Sequence, residues 1–281
     1  MKILSPTDFS KSSNIAVRYA GKLAKKLNAE LILLHVVYID APPRTQATLK
    51  TRQILDAMAD NAKRDFNQLI KEIKSETGNK INVSHHIALG YPVEDVIKTF
   101  AQHNTIDLII MGMKGSSGLK KMLIGSTAAA VMGNSHIPVI TIPEHARFKA
   151  IKRIVYPSDM HVISNEVKIL IQFAKLFNAS IHILHVVSTD SKKKIDRLKI
   201  KNKLISKYNY PRISFHISVN DQVTEAIDEY AADTKADLLA MFTHKPTFFE
   251  KLFGQSITRE MAFHGWIPLL AIKKNKTIQT E

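Results

Sequence analysis

The sequence predicts an α/β protein built from two tandem copies of one domain, each a five-stranded parallel sheet with helices on both faces. Three observations carry this. Short apolar runs alternate with amphipathic helical segments, the order that gives parallel strands joined by helical crossovers. The whole series then repeats. Finally, four of the ten glycines fall within the fourteen positions from Gly112 to Gly125, directly after one of the apolar runs.

The elements follow in order. Lys2-Ile3-Leu4-Ser5 reads as a first strand ending at Pro6-Thr7-Asp8. Ser10 or Ser12 then opens a helix whose apolar positions Ile15, Ala16, Tyr19, Ala20, Leu23, Ala24 and Leu27 are spaced by three and four. Asn28 closes it. Glu30 to Val37 reads as a second strand. After the break at Ala41-Pro42-Pro43 a long helix is expected, with Leu55, Met58, Ala62, Phe66, Leu69, Ile70 and Ile73 on one stripe. Ile81 to Ala88 alternates as a third strand, in which His85 and His86 must face opposite sides. Gly90-Tyr91-Pro92 turns the chain into a helix carrying Val93, Val96, Ile97 and Phe100. Leu108 to Met111 is the fourth strand, and Val139 to Ile142 the fifth.

Between those last two lie the glycine loop and the helix former Ala128-Ala129-Ala130-Val131-Met132, with Ser126 as its expected N-cap. Strand, glycine loop, small hydroxyl and helix together have a chemical reading. Glycine permits close backbone approach and positive φ. N–H groups of such a loop and of a helix N-terminus attract phosphate oxygens. The loop is neither Gly-x-Gly-x-x-Gly nor a Walker A motif.

The repeat is legible residue by residue. Arg153 to Asp159 (RIVYPSD) echoes Lys2 to Asp8 (KILSPTD), and Leu184-His185-Val186-Val187 echoes Leu34-His35-Val36-Val37. Ala236-Asp237-Leu238-Leu239 echoes Ile106-Asp107-Leu108-Ile109, and Ile267-Pro268 echoes Ile137-Pro138. The offset falls from 151 at Asp8 to 130 at Asp107, so the second copy is shortened between its second and fourth strands. The expected domains are 1–146 and 147–281, with a linker near Glu144 to Lys149.

Composition narrows the function classes. Without cysteine there is no disulfide framework and no thiolate chemistry. No apolar run reaches the ~20 residues that span a bilayer, and Met1 to Pro6 does not read as a signal peptide, so a cytoplasmic protein is expected. The net charge is +15. From Ser191 to Lys207 eight basic residues (Lys192, Lys193, Lys194, Arg197, Lys199, Lys201, Lys203 and Lys207) face only Asp196. That segment reads as a solvated cationic helix face, or as a surface for a polyanion. It has little aromatic interleaving, which gives nucleic-acid binding thin support. The twelve histidines show no metal-ligand spacing, and no metal site is expected from protein ligands alone.

Pro6-Thr7-Asp8, the LLHVV strand, and Gly112-x2-Gly115-x9-Gly125-Ser126 resemble the universal stress protein family, in its ATP-binding subgroup. Both copies take part, so the resemblance covers nearly the whole chain. It implies two flavodoxin-like (Rossmann-like) domains, with the fifth strands pairing them as an intrachain pseudo-dimer. It also implies binding of ATP or AMP, with Mg²⁺ a candidate companion of the phosphates, slow hydrolysis at most, and a stress-response sensor or regulatory module rather than a metabolic enzyme.

By the same resemblance the Asp8 carboxylate meets ribose or adenine, and Pro6 and Thr7 shape that wall. Val36 meets the adenine edge through its backbone. Met111 and Gly112 line the ribose and phosphate side, while Gly115, Gly125, Ser126 and Thr127 hold phosphates. A local role for Asp8, as N-cap of the first helix, stands beside this. The second copy departs from the pattern. Phe242, Lys245 and Phe248 stand where the first has Gly112, Gly115 and Gly118, and Gln255 follows Gly254. Nucleotide is therefore expected in the first domain only, the second pairing with it or engaging a partner. The alternative is a scaffold without nucleotide, or a protein that binds a partner or nucleic acid through its basic C-terminal surface. A homodimer and an unidentified protein client are further expectations.

Overall fold

The computed structural model describes residues 1–39, 49–78, 81–113, 124–161, 163–191, 195–243 and 266–273. The chain divides into two compact units, Met1–Glu144 and His145–Glu281.

In the first unit the strands are β1 (Lys2–Pro6), β2 (Glu30–Val37), β3 (Val83–Leu89), β4 (Leu108–Gly112) and β5 (Val139–Ile142). The helices are α1 (Lys11–Leu27), α2 (Leu49–Thr77), α3 (Val93–His103) and α4 (Ser126–Asn134). The strands are parallel in the order β3-β2-β1-β4-β5. The apolar runs fill the middle: Ile3, Leu4, Leu31, Leu33, Leu34, Ile109 and Ile110 are all fully buried. That pattern is expected of strands covered on both faces. The two neighbouring histidines of β3 show the layers directly. His85 packs on Phe66 of α2 (ring centroids 4.7 Å) and His86 on Phe100 of α3 (5.2 Å), on opposite faces as the alternation requires.

Helix α1 begins where Ser10 caps it: the Ser10 side chain accepts from the Ser13 N–H. It ends at Asn28, in the left-handed region at φ 49°. Helix α2 differs from expectation. Its stripe is buried at Ala62, Phe66, Leu69 and Ile73, but Met58 is exposed and Leu55 and Ile70 are half-buried. The sheet-facing stretch of this 29-residue helix therefore begins only near Ala62. Gly21 of α1 marks a close helix contact: a Cβ there would lie 2.8 Å from Ile73 Cγ2.

The second unit repeats the plan. Its strands are β6 (Arg153–Pro157), β7 (Ser180–Val187), β8 (Ile213–Val219), β9 (Leu238–Phe242) and β10 (Leu269–Ile272). Its helices are α5 (Ile163–Phe177), α6 (Arg197–Tyr208) and α7 (Val223–Asp233). The order is β10-β9-β6-β7-β8, again parallel. The shortening predicted from the offset is found in α6, with 12 residues against 29 in α2.

The repeated Asp of the two copies has a structural task. Asp107 accepts the Lys2 N–H at 2.7 Å, and Asp237 accepts those of Lys152 and Arg153 at 3.0 and 2.9 Å. Each carboxylate anchors the start of its unit's central strand. Backbone signs repeat too. Phe9 and Met160 (φ 59° and 69°) and Thr105 and Lys235 (51° and 50°) all occupy the left-handed region.

Candidate functional site

The carboxyl ends of β1, β2 and β4 come together in the first unit. Strand β1 sits between β2 and β4, and the chain leaves it in one direction and returns on the other side. A crevice at such a switch in strand order is where ligands of open α/β sheets bind.

The turn after β1 is built by its own side chains. The Thr7 N–H donates to the Leu34 carbonyl at 2.8 Å, fixing the end of β1 against β2. The Thr7 hydroxyl is buried, accepts the Phe9 N–H at 3.0 Å, and bonds the Ser13 hydroxyl at 3.0 Å. Asp8 is exposed, and its Oδ1 accepts the Ser10 N–H at 3.0 Å. Asp8 is thus not the cap of α1, which is Ser10; it closes the turn just before that cap. Asp159 does the same for His161 at 3.0 Å in the second unit, which gives the repeated Asp a local reason in both copies.

His35 is packed and hydrogen-bonded. Its Nδ1–H donates to the Thr7 carbonyl at 2.8 Å, and its ring lies 4.7 Å from that of Phe9. His185 repeats the bond to the Ser158 carbonyl, also at 2.8 Å. In each copy this histidine ties the first turn to the second strand.

Val36 and Met111 are buried, and Pro6 is buried at the strand end. Gly112 is held by packing. A Cβ there would lie 2.9 Å from Ser12 Oγ and 3.0 Å from the Ser12 carbonyl carbon and oxygen, so the end of β4 runs against the first turn of α1. Gly125 is the N-cap of α4, with φ −61° and ψ 150°, and Ser126 is the first helical residue. The sequence expectation of Ser126 as the cap is corrected here. The physical reason is that the Gly125 N–H donates to the Met113 carbonyl at 2.8 Å, which sets the helix to begin one residue earlier. Among the described residues no side chain caps the first turn of α4. Ser126 is exposed and Thr127 half-buried at that turn. Gly115, Gly118 and the rest of 114–123 lie outside the described residues.

The structure therefore brings Thr7, Asp8, Val36, Met111 and Gly112 to neighbouring strand ends, and fixes Gly125 beside Met113. Among the described residues no group of three or more His, Asp or Glu is placed to hold a metal ion.

The second unit carries larger side chains at the matching positions. Tyr156 stands where β1 has Ser5, Glu166 where α1 has Ile15, and Phe242 where β4 has Gly112. All three are buried. The Tyr156 hydroxyl donates to Glu166, and its ring meets Phe242 edge-on at 5.6 Å. Burial, with the Glu166 carboxylate close by, pushes the Tyr156 phenol far above its ordinary range. Sequence comparison flagged Phe242 but missed the other two. The signal was present as an apolar stripe position, Ile15, half-buried in the first copy and replaced by a carboxylate in the second. Lys245, Phe248, Gly254 and Gln255 lie outside the described residues, as do Lys192, Lys193 and Lys194.

A second polar cluster lies on the face covered by α7. His182 and His216 stack at 5.9 Å, and the Tyr230 hydroxyl lies 3.3 Å from His182 Nδ1. Burial lowers both imidazoles below the usual histidine range; His216 and Arg153 add to this at His182, and Arg197 and Lys201 at His216. The first unit has Ile32, His86 and Phe100 in these places.

Comparison with known proteins agrees in family and fold. The family model described as the universal stress protein family matches residues 1–143 and again 150–273. Universal stress protein MJ0577 of Methanocaldococcus jannaschii is 32% identical over 162 residues, covering 50% of this chain and 93% of that protein. A second protein of that organism, universal stress protein MJ0531, is 30% identical over 141 residues, covering 50% and 81%. A crystal structure of a universal stress protein from Archaeoglobus fulgidus superposes with a TM-score of 0.69 at 19% identity, covering 98% of this chain and 97% of that one.

Proposed function

This chain belongs to the universal stress protein family, carrying two of its domains in tandem, and we propose from that premise that its N-terminal domain binds an adenine nucleotide, ATP or AMP, as a sensor or regulatory module of a stress response. The observation that supports this best is the convergence at the carboxyl ends of β1, β2 and β4. There an exposed Asp8 stands at one strand end, and the glycine-capped N-terminus of α4 is fixed next to another through Gly125 and Met113. A helix start with no side-chain cap leaves N–H donors for phosphate oxygens. Asp8 would accept from ribose or base, with Pro6, Thr7 and the Val36 backbone forming the wall. Met111 and Gly112 would flank the sugar, and Gly115, Gly125, Ser126 and Thr127 would hold the phosphates.

The residues fit such a ligand better than they fit catalysis. The Thr7 hydroxyl is already used inside the fold, and His35 is engaged through its Nδ1–H and its ring contact with Phe9. Any Mg²⁺ would be held mostly by phosphate oxygens and water. Turnover would be slow at most. The C-terminal domain would not bind nucleotide in this mode, because Phe242, Lys245 and Phe248 stand where the first copy has Gly112, Gly115 and Gly118. It would serve as a partner-binding half. In favour of that, Arg197, Lys199, Lys201 and Lys203 of α6 make no ion pair among the described residues, leaving a basic face for an acidic partner. Among the described residues no helix is long and apolar enough to cross a membrane, and a cytoplasmic place of action goes with this reading.

Calorimetry with ATP and AMP on the intact chain and on Gly115→Val tests it. One site per chain, lost in the variant, is the expected result. Two equivalent sites would sink the restriction to the first domain. No heat at millimolar nucleotide would sink the nucleotide reading altogether.

A further inference from the structure

Two tyrosines sit on the rim of the proposed site. Tyr38 follows β2 directly, two residues after Val36, and Tyr91 follows β3 after the Gly90 turn. The turn is tied to β2 by the Gly90 N–H, which donates to the Val37 carbonyl at 3.3 Å. Gly90 has φ 151°, and a Cβ there would lie 2.8 Å from Val96 Cγ2, so the turn is held in one shape. The two rings meet at 5.3 Å with an interplanar angle of 35°. Yet both remain open to solvent, Tyr38 at 42% and Tyr91 at 68% exposure.

The second unit is the internal control. The positions matching Tyr38 and Tyr91 are Ser188 and Asp221. They make the same cross-loop link by other means. The Ser188 hydroxyl donates to Asp221 at 2.7 Å, and the Thr189 N–H and hydroxyl add bonds at 3.1 and 2.7 Å. A hydrogen-bonded pair is thus sufficient to join these two loops in this fold. The first unit uses exposed aromatic rings instead, and it is the unit that keeps the glycines. In the unit with Phe242 in place of Gly112, the rings are absent.

We propose that Tyr38 and Tyr91 form an aromatic wall that stacks on the nucleobase of the bound nucleotide. This rests on the nucleotide reading above and adds its base-recognition element. The rings stand beyond the β2 end where the Val36 backbone would meet the base edge, and a tilted pair presents a ring face to a planar ligand. Stacking is tolerant of base identity because every base has a π-face, so the wall raises affinity for nucleotides over bare phosphates without reading a hydrogen-bond pattern.

The test compares ATP with inorganic tripolyphosphate on the full chain, by calorimetry, for the wild type, Tyr91→Ala, Tyr38→Ala and Tyr91→Phe. Removal of one ring weakens ATP binding about ten-fold, at the lower end of what base–aromatic stacking contributes. Tripolyphosphate affinity stays unchanged, and Tyr91→Phe keeps wild-type affinity for ATP. Circular dichroism of each variant guards against loss of fold, and both residues are exposed enough for replacement to leave the core intact. Equal ATP affinity in wild type and both alanine variants overturns the wall while leaving nucleotide binding in place. A parallel loss for ATP and tripolyphosphate also overturns it, since the rings would then support the loop rather than the base. Absence of ATP binding to the wild type overturns both readings. If the pair instead docks a protein, the alanine variants lose that partner with ATP affinity intact, which counts against the proposal.

Discussion

Gly112→Ala tests what the first glycine of the loop is for. The added methyl would lie 2.9 to 3.0 Å from three atoms of Ser12, two of them backbone. Ordinary contacts begin near 3.4 Å, so β4 and α1 must part by about half an ångström. Neither yields freely. Helix α1 is fixed at its start by the Ser10 cap and by the Thr7–Ser13 hydroxyl pair, and β4 lies between β1 and β5 in the sheet. Inserting a methyl into a packed contact of this kind costs about 1–3 kcal/mol. At about 2 kcal/mol the folded-to-unfolded ratio falls roughly thirty-fold. Gly133→Ala is the matched control, because among the described residues nothing lies within 4 Å of its added methyl and it sits inside α4. There the exchange gains about 0.5–1 kcal/mol through helix propensity and the entropy of the unfolded chain. Urea unfolding followed by far-ultraviolet circular dichroism reads both. A Gly112→Ala protein as stable as the wild type would refute the packing argument, and the case for that glycine would rest on ligand approach alone.

Other outcomes follow from the same contacts. Ser10→Ala removes the side-chain cap of α1 and lowers stability by about 0.5–2 kcal/mol, read by the same urea titration; Asp or Asn at that position restores most of it. The histidine pair of the second unit makes that unit acid-sensitive. Burial first, then nearby positive charge, holds His182 and His216 below the ordinary value near 6.5. The unfolded chain therefore binds protons that the folded one refuses, so stability is fully present above about pH 6.5 and is lost as the pH falls through the folded values. Trp266 lies in the second unit and is the only tryptophan of the chain, so its fluorescence in urea at pH 7.5, 6.5 and 5.5 follows this loss. His182→Ile, which installs the residue of the first copy, flattens the slope; an unchanged slope would show that the acid sensitivity lies elsewhere.

Much of the fold was legible because its signals are local or repeated. Glu30–Val37 and Val139–Ile142 are continuous apolar or near-apolar runs, and their strand limits follow from composition alone. The repeat fixed the number of copies, and the change of offset located the shortened helix. The strand-end residues Thr7, Asp8 and Gly112 were also legible, since motif spacing in an alternating α/β chain places them at one edge of the sheet. What the sequence left open concerns partners across space. Periodicity assigns Met58 and Leu55 to the same stripe as Phe66, but only packing shows that the sheet is met from Ala62 onward. Local propensity favours Ser126 as a cap, whereas the Gly125 bond to Met113 moves the start of α4. Gly112 reads from its motif as a place for phosphate, and the tertiary contact with Ser12 gives it a second task. Tyr156 and Glu166 lie ten residues apart and become a pair only when α5 folds back over β6. Tyr38 and Tyr91 meet only once β2 and β3 lie side by side in the sheet. Sequence determines each residue's chemistry and the period on which it falls; which distant side chain shares its surroundings is decided by close packing.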